Sequence, residues 1–111
     1  MAYTLIDEKK VCRIYQDTEK ALDKTLAHIV QLLDGEHQTF ATAESCTGGM
    51  LSQLITSVPG ASHVFALGLC TYAERMKTKL LGVPAELIEA HGVVSAAVAA
   101  AMVQGLSRAQ G

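Results

Sequence analysis

Apolar residues recur along this chain at two spacings, and the pattern predicts helices separated by short strands. From Asp17 to Gly35 they recur every three or four residues, which indicates an amphipathic helix of about five turns. Asp17 or Thr18 is placed to cap its start, and Gly35 to end it in a left-handed conformation. Residues 1–16 carry no such pattern, so we expect an extension there that is partly helical or poorly ordered, and a domain over residues 17–111. The apolar positions of the helix are Ala21, Leu22, Leu26, Ile29, Val30 and Leu33.

Two apolar segments further along predict strands. The first is Gln38–Ala43, followed by a helix from about Thr47 to Thr56 that Pro59-Gly60 stops. The second, His63–Tyr72, is apolar almost throughout, which suits a strand buried on both faces. Strands that alternate with helices indicate an α/β fold. Three further helices are predicted at Ala73–Leu81 before Gly82, at Pro84–Ala90 before His91-Gly92, and at Ala96–Arg108 after a capping Ser95.

Composition excludes several functional classes. Half of the 111 residues are hydrophobic and 18% are charged, which favours one well-buried globular domain. A net charge of -2 with scattered Lys and Arg gives no footprint for nucleic acid. The longest apolar run, Gly92–Met102, is shorter than the ~20 residues of a membrane span. No signal peptide is evident, and three cysteines without a C-x-x-C pair suit a reducing cytoplasm.

Metal and phosphate motifs are missing from the sequence. The four histidines lack metal-ligand spacing, and no Cys or His pair recurs at zinc spacing. Neither a P-loop nor a dinucleotide-binding glycine motif occurs, because Gly48-Gly49 is an isolated pair. We therefore expect no metal and no cofactor, and any phosphate would bind at helix starts such as Ser45–Gly49 or Ser95.

The candidate chemistry centres on the predicted strand-to-helix turn Ala43–Gly49, of sequence AESCTGG. In open α/β sheets, ligands bind where strand carboxyl ends and helix amino ends meet. Ser45 is a candidate nucleophile there, although a cap at the helix start is the more common role of such a serine. Cys46 is a rival nucleophile, whose alternative role is that of a small buried hydrophobic residue.

Two residues that follow the second strand are candidate partners of Ser45. Tyr72 ends the predicted strand, and Lys77 lies one turn into the next helix, so both can face the same crevice. A partly desolvated lysine can act as a base. The alternatives are a solvated helix lysine like Lys79 and a half-buried strand tyrosine.

Several segments of the sequence form a recognisable series. They are Ala43–Gly49, Thr56–Ser62, Gly68–Tyr72 with Lys77, Leu81–Val83 and His91–Ser95. In this order they resemble the CinA carboxy-terminal domain family, over about residues 18–108. Members characterised as enzymes are nicotinamide-nucleotide amidohydrolases (NMN deamidases). The resemblance implies a three-layer α/β/α domain with a small sheet flanked by helices.

By this resemblance, Ser45 matches the family's nucleophile, Lys77 its general base and Tyr72 a tyrosine that lines the site. The implied reaction converts nicotinamide mononucleotide to nicotinate mononucleotide and ammonia, with a Ser–Lys pair in place of a triad. Thr47, Gly48 and Gly49 would shape an oxyanion or phosphate pocket. The further predicted substrate-binding residues are Glu44, Cys46 and Ser95.

One departure from the family pattern affects the expected activity. Family members continue past the last helix with a further strand and a T-G-I-A-G-P loop that this sequence does not contain. We therefore expect a shortened domain with an unpaired strand edge, which a second copy of the chain could cover in a homo-oligomer. The alternative function is a non-catalytic remnant that binds a nucleotide or a partner protein.

Overall fold

The computed structural model describes residues 8–110. Over this range the chain forms five α-helices, one short 3-10 helix and two strands. In chain order these are α1 (Glu8–Gly35), β1 (Phe40–Glu44), α2 (Met50–Thr56), the 3-10 helix (Ala61–His63), β2 (Phe65–Cys70), α3 (Glu74–Leu81), α4 (Ala85–His91) and α5 (Ala96–Gln110).

The two strands lie side by side in a parallel sheet. A bulge between Phe40 and Ala41 sets the register, which then places Glu44 opposite Cys70. Both strands therefore end at the same edge of the sheet. The segments that leave this edge are the turn that begins at Ser45 and the loop that begins at Thr71, so the topology brings these two loops together.

Helices cover both faces of the sheet. On one face, α3, α4 and α5 enclose a core with the strand residues Ala41, Ala43, Leu67 and Leu69 at its edge; its buried members are Leu81, Val83, Ile88, Val98, Met102 and Leu106. On the other, α1, α2 and the 3-10 helix pack a second cluster beside Phe40 and Phe65; its members are Leu26, Val30, Ile55, Ala61 and Val64. The predicted α/β fold with a small sheet between helices is confirmed.

Helix α1 differs from its prediction at both ends. It begins at Glu8, nine residues earlier than expected, because Glu, Lys and Arg in this stretch are good helix formers. Residues 1–7 of the expected extension lie outside the described residues, and the boundary between residues 16 and 17 stays a prediction. At the other end, His37 rather than Gly35 has a positive φ, of 55°. The Gln38 N–H donates to the Leu33 carbonyl and the His37 N–H to that of Asp34, as in a Schellman motif.

Two further predictions were wrong in detail. Helix α2 begins at Met50 rather than near Thr47, because Gly48 and Gly49 have φ values of 63° and 101°, outside the helical region. Strand β2 is not buried on both faces, and its residues alternate between partly buried and exposed. Leu67 and Leu69 face the α3–α5 core, whereas Gly68 and Cys70, on the opposite face, are exposed because the helices there cover β2 incompletely.

The ends of α3 and α5 agree with the sequence. Gly82 takes a left-handed conformation, with a φ of 65°, and ends α3. Ser95 caps α5, since its Oγ accepts a hydrogen bond from the Val98 N–H at 3.2 Å. The two helices meet closely at Gly105, where an added Cβ would lie 1.8 Å from the Leu81 carbonyl oxygen.

Candidate active site

The turn after β1 is shaped by its glycine pair. The Gly48 N–H donates to the Ser45 carbonyl at 3.0 Å, and the Met50 N–H to the Thr47 carbonyl at 3.1 Å. Gly49 then caps α2 with a φ of 101°, a conformation that residues with a side chain rarely adopt. This tight turn leaves Ser45 partly buried at the end of β1.

Lys77 contacts Ser45 directly. The distance between Lys77 Nζ and Ser45 Oγ is 2.9 Å, although the residues are 32 positions apart. Lys77 is 1% exposed, so the alternative of a solvated helix lysine is wrong. Its neighbour Lys79 on the same helix is exposed.

The other two neighbours of Lys77 Nζ are main-chain oxygen atoms. Nζ donates to the Thr71 carbonyl at 2.6 Å and to the Tyr72 carbonyl at 3.1 Å. Within residues 8–110, no carboxylate lies within ion-pair distance of this nitrogen. Carbonyl oxygens only accept, so Nζ directs two of its hydrogens at them, and its third contact is with Ser45 Oγ. The geometry places a buried amine within hydrogen-bond distance of the Ser45 hydroxyl.

Glu44 is buried at the end of β1 and supports the turn. Oε1 accepts hydrogen bonds from Thr47 Oγ1 at 2.9 Å and from the Leu51 N–H at 2.7 Å. Oε2 accepts from the Ser52 N–H at 3.1 Å and from Ser52 Oγ at 2.7 Å. Burial, the largest single influence, raises the pKa of Glu44, but the hydrogen bonds from Ser52, Leu51 and Thr47 together outweigh it and lower the pKa to about 2.

A cleft of about 310 Å³ opens beside Ser45 and Lys77. Of the predicted site residues it is lined by Glu44, Ser45, Cys46, Thr47, Lys77 and Ser95. The lining also includes an apolar wall, formed by Val93, Val94, Ala99, Met102 and Val103. An apolar wall that faces a few polar groups is typical of small-molecule sites.

The other predicted site residues lie outside the cleft or have side chains that are already hydrogen-bonded within the protein. Only the main chain of Tyr72 contacts Lys77, and its side chain is 75% exposed because it lies in the loop after β2. Tyr72, Gly48 and Gly49 are not among the residues that line the cleft. Ser95 lines it, but its Oγ already donates to the Gly92 carbonyl at 2.8 Å.

The rival nucleophile, Cys46, is exposed and lines the cleft. The described contacts pair Lys77 with Ser45 and not with this thiol. Elsewhere in residues 8–110, no group of three His, Cys, Asp or Glu side chains could hold a metal ion. Nor does any helix of this range have the length and apolar character to cross a membrane.

Three residues near the site have roles that the sequence did not predict. Ser52 links α2 to Glu44, and its Oγ lies 2.6 Å from Thr42 Oγ1 on β1. Thr71 holds Lys77 through its carbonyl, and its own hydroxyl is buried without a hydrogen-bond partner among the described residues. The role of Ser52 could have been suspected from the sequence, because a serine in the first turn of a helix is close to the turn before it. The role of Thr71 could not, because a main-chain carbonyl accepts in the same way whatever the residue type.

Comparison with known proteins identifies the family of this chain. Residues 22–111 match the sequence profile of the family described as the CinA C-terminal domain. The chain belongs to the CinA C-terminal domain family. A CinA-like protein of Anaeromyxobacter sp. (strain Fw109-5) is 49% identical over 90 residues, which are 81% of this chain and 22% of that protein. A CinA-like protein of Synechococcus sp. (strain CC9902) is 53% identical over 85 residues, or 76% and 20%. The chain thus spans about a fifth of the length of these curated relatives.

Solved CinA structures share the fold. The competence/damage inducible protein CihA of Agrobacterium tumefaciens is similar with a TM-score of 0.76 and 33% identity, over 78% of this chain and 53% of that one. A CinA superfamily protein of Escherichia coli gives a TM-score of 0.75 and 29% identity, over 80% and 52%. This chain therefore corresponds to about half of each of these CinA structures.

Proposed function

We propose that Ser45 and Lys77 form a Ser–Lys pair that hydrolyses the carboxamide of a pyridine nucleotide, nicotinamide mononucleotide. The observation that supports this proposal most directly is the 2.9 Å contact between Lys77 Nζ and Ser45 Oγ, beside a cleft of about 310 Å³. The family resemblance of the sequence supports the choice of substrate. A cytoplasmic location and association between copies of the chain stay predictions.

The chemistry follows from this contact. Lys77 takes the proton of the Ser45 hydroxyl as Ser45 Oγ bonds to the amide carbon. The tetrahedral intermediate collapses as the amide nitrogen accepts a proton from Lys77 and leaves as ammonia. Water, deprotonated by Lys77, then attacks the Ser45 ester and releases nicotinate mononucleotide, which restores the Ser45 hydroxyl.

Preorganised donors for the oxyanion come from the turn in this proposal. The Leu51 and Ser52 N–H groups at the start of α2 are excluded, because both donate to Glu44. Gly48 is excluded as well, because its N–H donates to the Ser45 carbonyl and the residue does not line the cleft. The candidate donors are therefore the N–H groups of Cys46 and Thr47, which do line it, so that Thr47 alone is kept from the predicted pocket at Thr47–Gly49.

Ammonia release from nicotinamide mononucleotide tests this function. We expect wild-type turnover and a loss of at least about 1000-fold in Ser45→Ala, since a nucleophile has no substitute in this reaction. Ser62→Ala is the matched control, because Ser62 is exposed and lies outside the cleft, and it should keep the full rate. A full rate in Ser45→Ala would contradict the proposal.

A second candidate is nucleotide or protein binding without turnover. It is favoured by the openness of the apolar wall, where Val94 is 89% and Val103 63% exposed, because amide hydrolysis usually needs a site shielded from water. Calorimetry separates the two functions. Binding of nicotinamide mononucleotide with no ammonia released would favour this candidate, and turnover would exclude it.

A further inference from the structure

The start of α2 is capped by a side chain from outside the helix. Gly49 occupies the N-cap position and has no side chain to offer. Glu44, five residues earlier at the end of β1, accepts the Leu51 and Ser52 N–H groups instead, at 2.7 and 3.1 Å. These are two of the N–H groups that every helix start leaves unpaired, so Glu44 joins β1 to α2 across the turn.

The same carboxylate also holds the middle of the turn. Oε1, which accepts the Leu51 N–H, accepts Thr47 Oγ1 at 2.9 Å. Ser45 lies between Glu44 and Thr47, and is thus enclosed by a loop that begins and closes on one side chain. Fixing both flanks of Ser45 limits how far its Oγ can move from Lys77 Nζ.

A chain of hydroxyl groups supports Glu44 from the sheet. Ser52 Oγ donates its one hydrogen to Oε2, so in the 2.6 Å contact with Thr42 the Thr42 hydroxyl must be the donor. Gly68 on β2 leaves room for this pair, because an added Cβ would lie 2.7 Å from Ser52 Oγ. The carboxylate is thereby linked to Thr42 on β1 and to α2.

We propose that Glu44 is a positioning residue that holds the Ser45 turn against Lys77, with Thr47 as its contact on the turn. This inference rests on the proposed role of Ser45 as nucleophile. It assigns no proton transfer to Glu44, whose two oxygens accept four hydrogen bonds in all. It also gives the Thr47 hydroxyl a role through Glu44 rather than through contact with substrate.

The test is a double-mutant cycle in which the measured quantity is the rate at which Ser45 reacts with a serine-directed reagent. Wild type, Thr47→Val, Glu44→Gln and the double variant are treated with phenylmethanesulfonyl fluoride, and sulfonylation of Ser45 is followed by peptide mass spectrometry. We expect labelling of wild-type Ser45 and a rate about 10- to 100-fold lower in each single variant, because a misplaced nucleophile reacts slowly. The double variant should be no slower than Glu44→Gln, because Thr47 acts through that carboxylate.

Controls separate this effect from a loss of folding. Thr25→Val removes a comparable hydroxyl contact on α1, to the Ala21 carbonyl, and should label at the wild-type rate. Circular dichroism sets a temperature at which every variant is folded. If Glu44→Gln does not fold, Ser52→Ala is compared with Thr47→Val in its place, since each change removes one contact to Glu44 and leaves the carboxylate there. Wild-type labelling rates in both of these variants would then overturn the inference.

The outcomes distinguish this inference from the proposed function, because the reagent needs no nucleotide. Equal labelling rates in folded Glu44→Gln and wild type would overturn the inference, as would multiplied effects in the double variant or no labelling of wild-type Ser45. Labelling that follows the expected cycle without hydrolysis of nicotinamide mononucleotide would support the inference while the proposed substrate fails.

Discussion

Lys77 is buried, and its Nζ contacts Ser45 Oγ. Its side chain crosses from α3 to the ends of the strands, where the Thr71 and Tyr72 carbonyls and Ser45 Oγ surround Nζ. Lysine is rarely fully buried without such partners. Residue by residue, the sequence could place Ser45 and Lys77 at one edge of a sheet. It could not predict the two carbonyls, because their directions depend on how the loop after β2 turns.

The lowered pKa of Glu44 predicts how the stability of the fold changes with pH. Its folded pKa of about 2 lies below the usual 4.5, so its ionised form stabilises the fold above pH 4.5, and this contribution is lost as the pH falls toward 2. Urea unfolding of wild type and Glu44→Gln should give free energies that differ most above pH 4.5 and converge near pH 2. Glu89→Gln, at an exposed position on α4, should track wild type throughout. A wild-type advantage unchanged down to pH 2 would contradict this role.

The elements show which sequence signals determine structure locally. Helices α3 and α5 begin and end near their predicted residues, because Gly82 and Ser95 act through contacts within a few positions. The start of α2 was misplaced, because its cap comes from the preceding strand rather than from its own N-cap residue. A side chain that acts across a turn is invisible to a search for local caps.

The contact between α3 and α5 depends on one small residue. Gly105→Ala should reduce the free energy of unfolding by about 3 kcal/mol or more, since its Cβ would overlap the Leu81 carbonyl and force the helices apart. Gly35→Ala is the matched control, because Gly35 is also helical and an added Cβ there would meet no atom within 4 Å. Urea unfolding measures both, and equal stabilities of the two variants would contradict this close packing.

The molecule as a whole is a two-stranded sheet with helices packed on both faces and its candidate site at one edge. Alternation of strands and helices was enough to predict this architecture, since parallel strands need a helical connection. The division of apolar residues between two cores was not predictable, because Leu26 and Leu81 belong to similar sequence patterns and pack on opposite faces. Nor was the exposed wall of the cleft, which depends on how α5 crosses β1.

The central claim is that Ser45 and Lys77 act as one catalytic pair. It is tested most directly by kcat/KM for nicotinamide mononucleotide in Ser45→Ala, Lys77→Met and their double variant. Methionine keeps much of the buried lysine's volume without an amine, and Lys79→Met is the exposed control on the same helix. Circular dichroism confirms that each variant is folded.

The effects of substitutions within one catalytic unit are not additive. Each single variant should therefore lose at least about 1000-fold in kcat/KM, the double variant should lose no more, and Lys79→Met should keep the wild-type value. A Lys77→Met variant that is folded and retains the wild-type kcat/KM, or losses that multiply in the double variant, would contradict the pair.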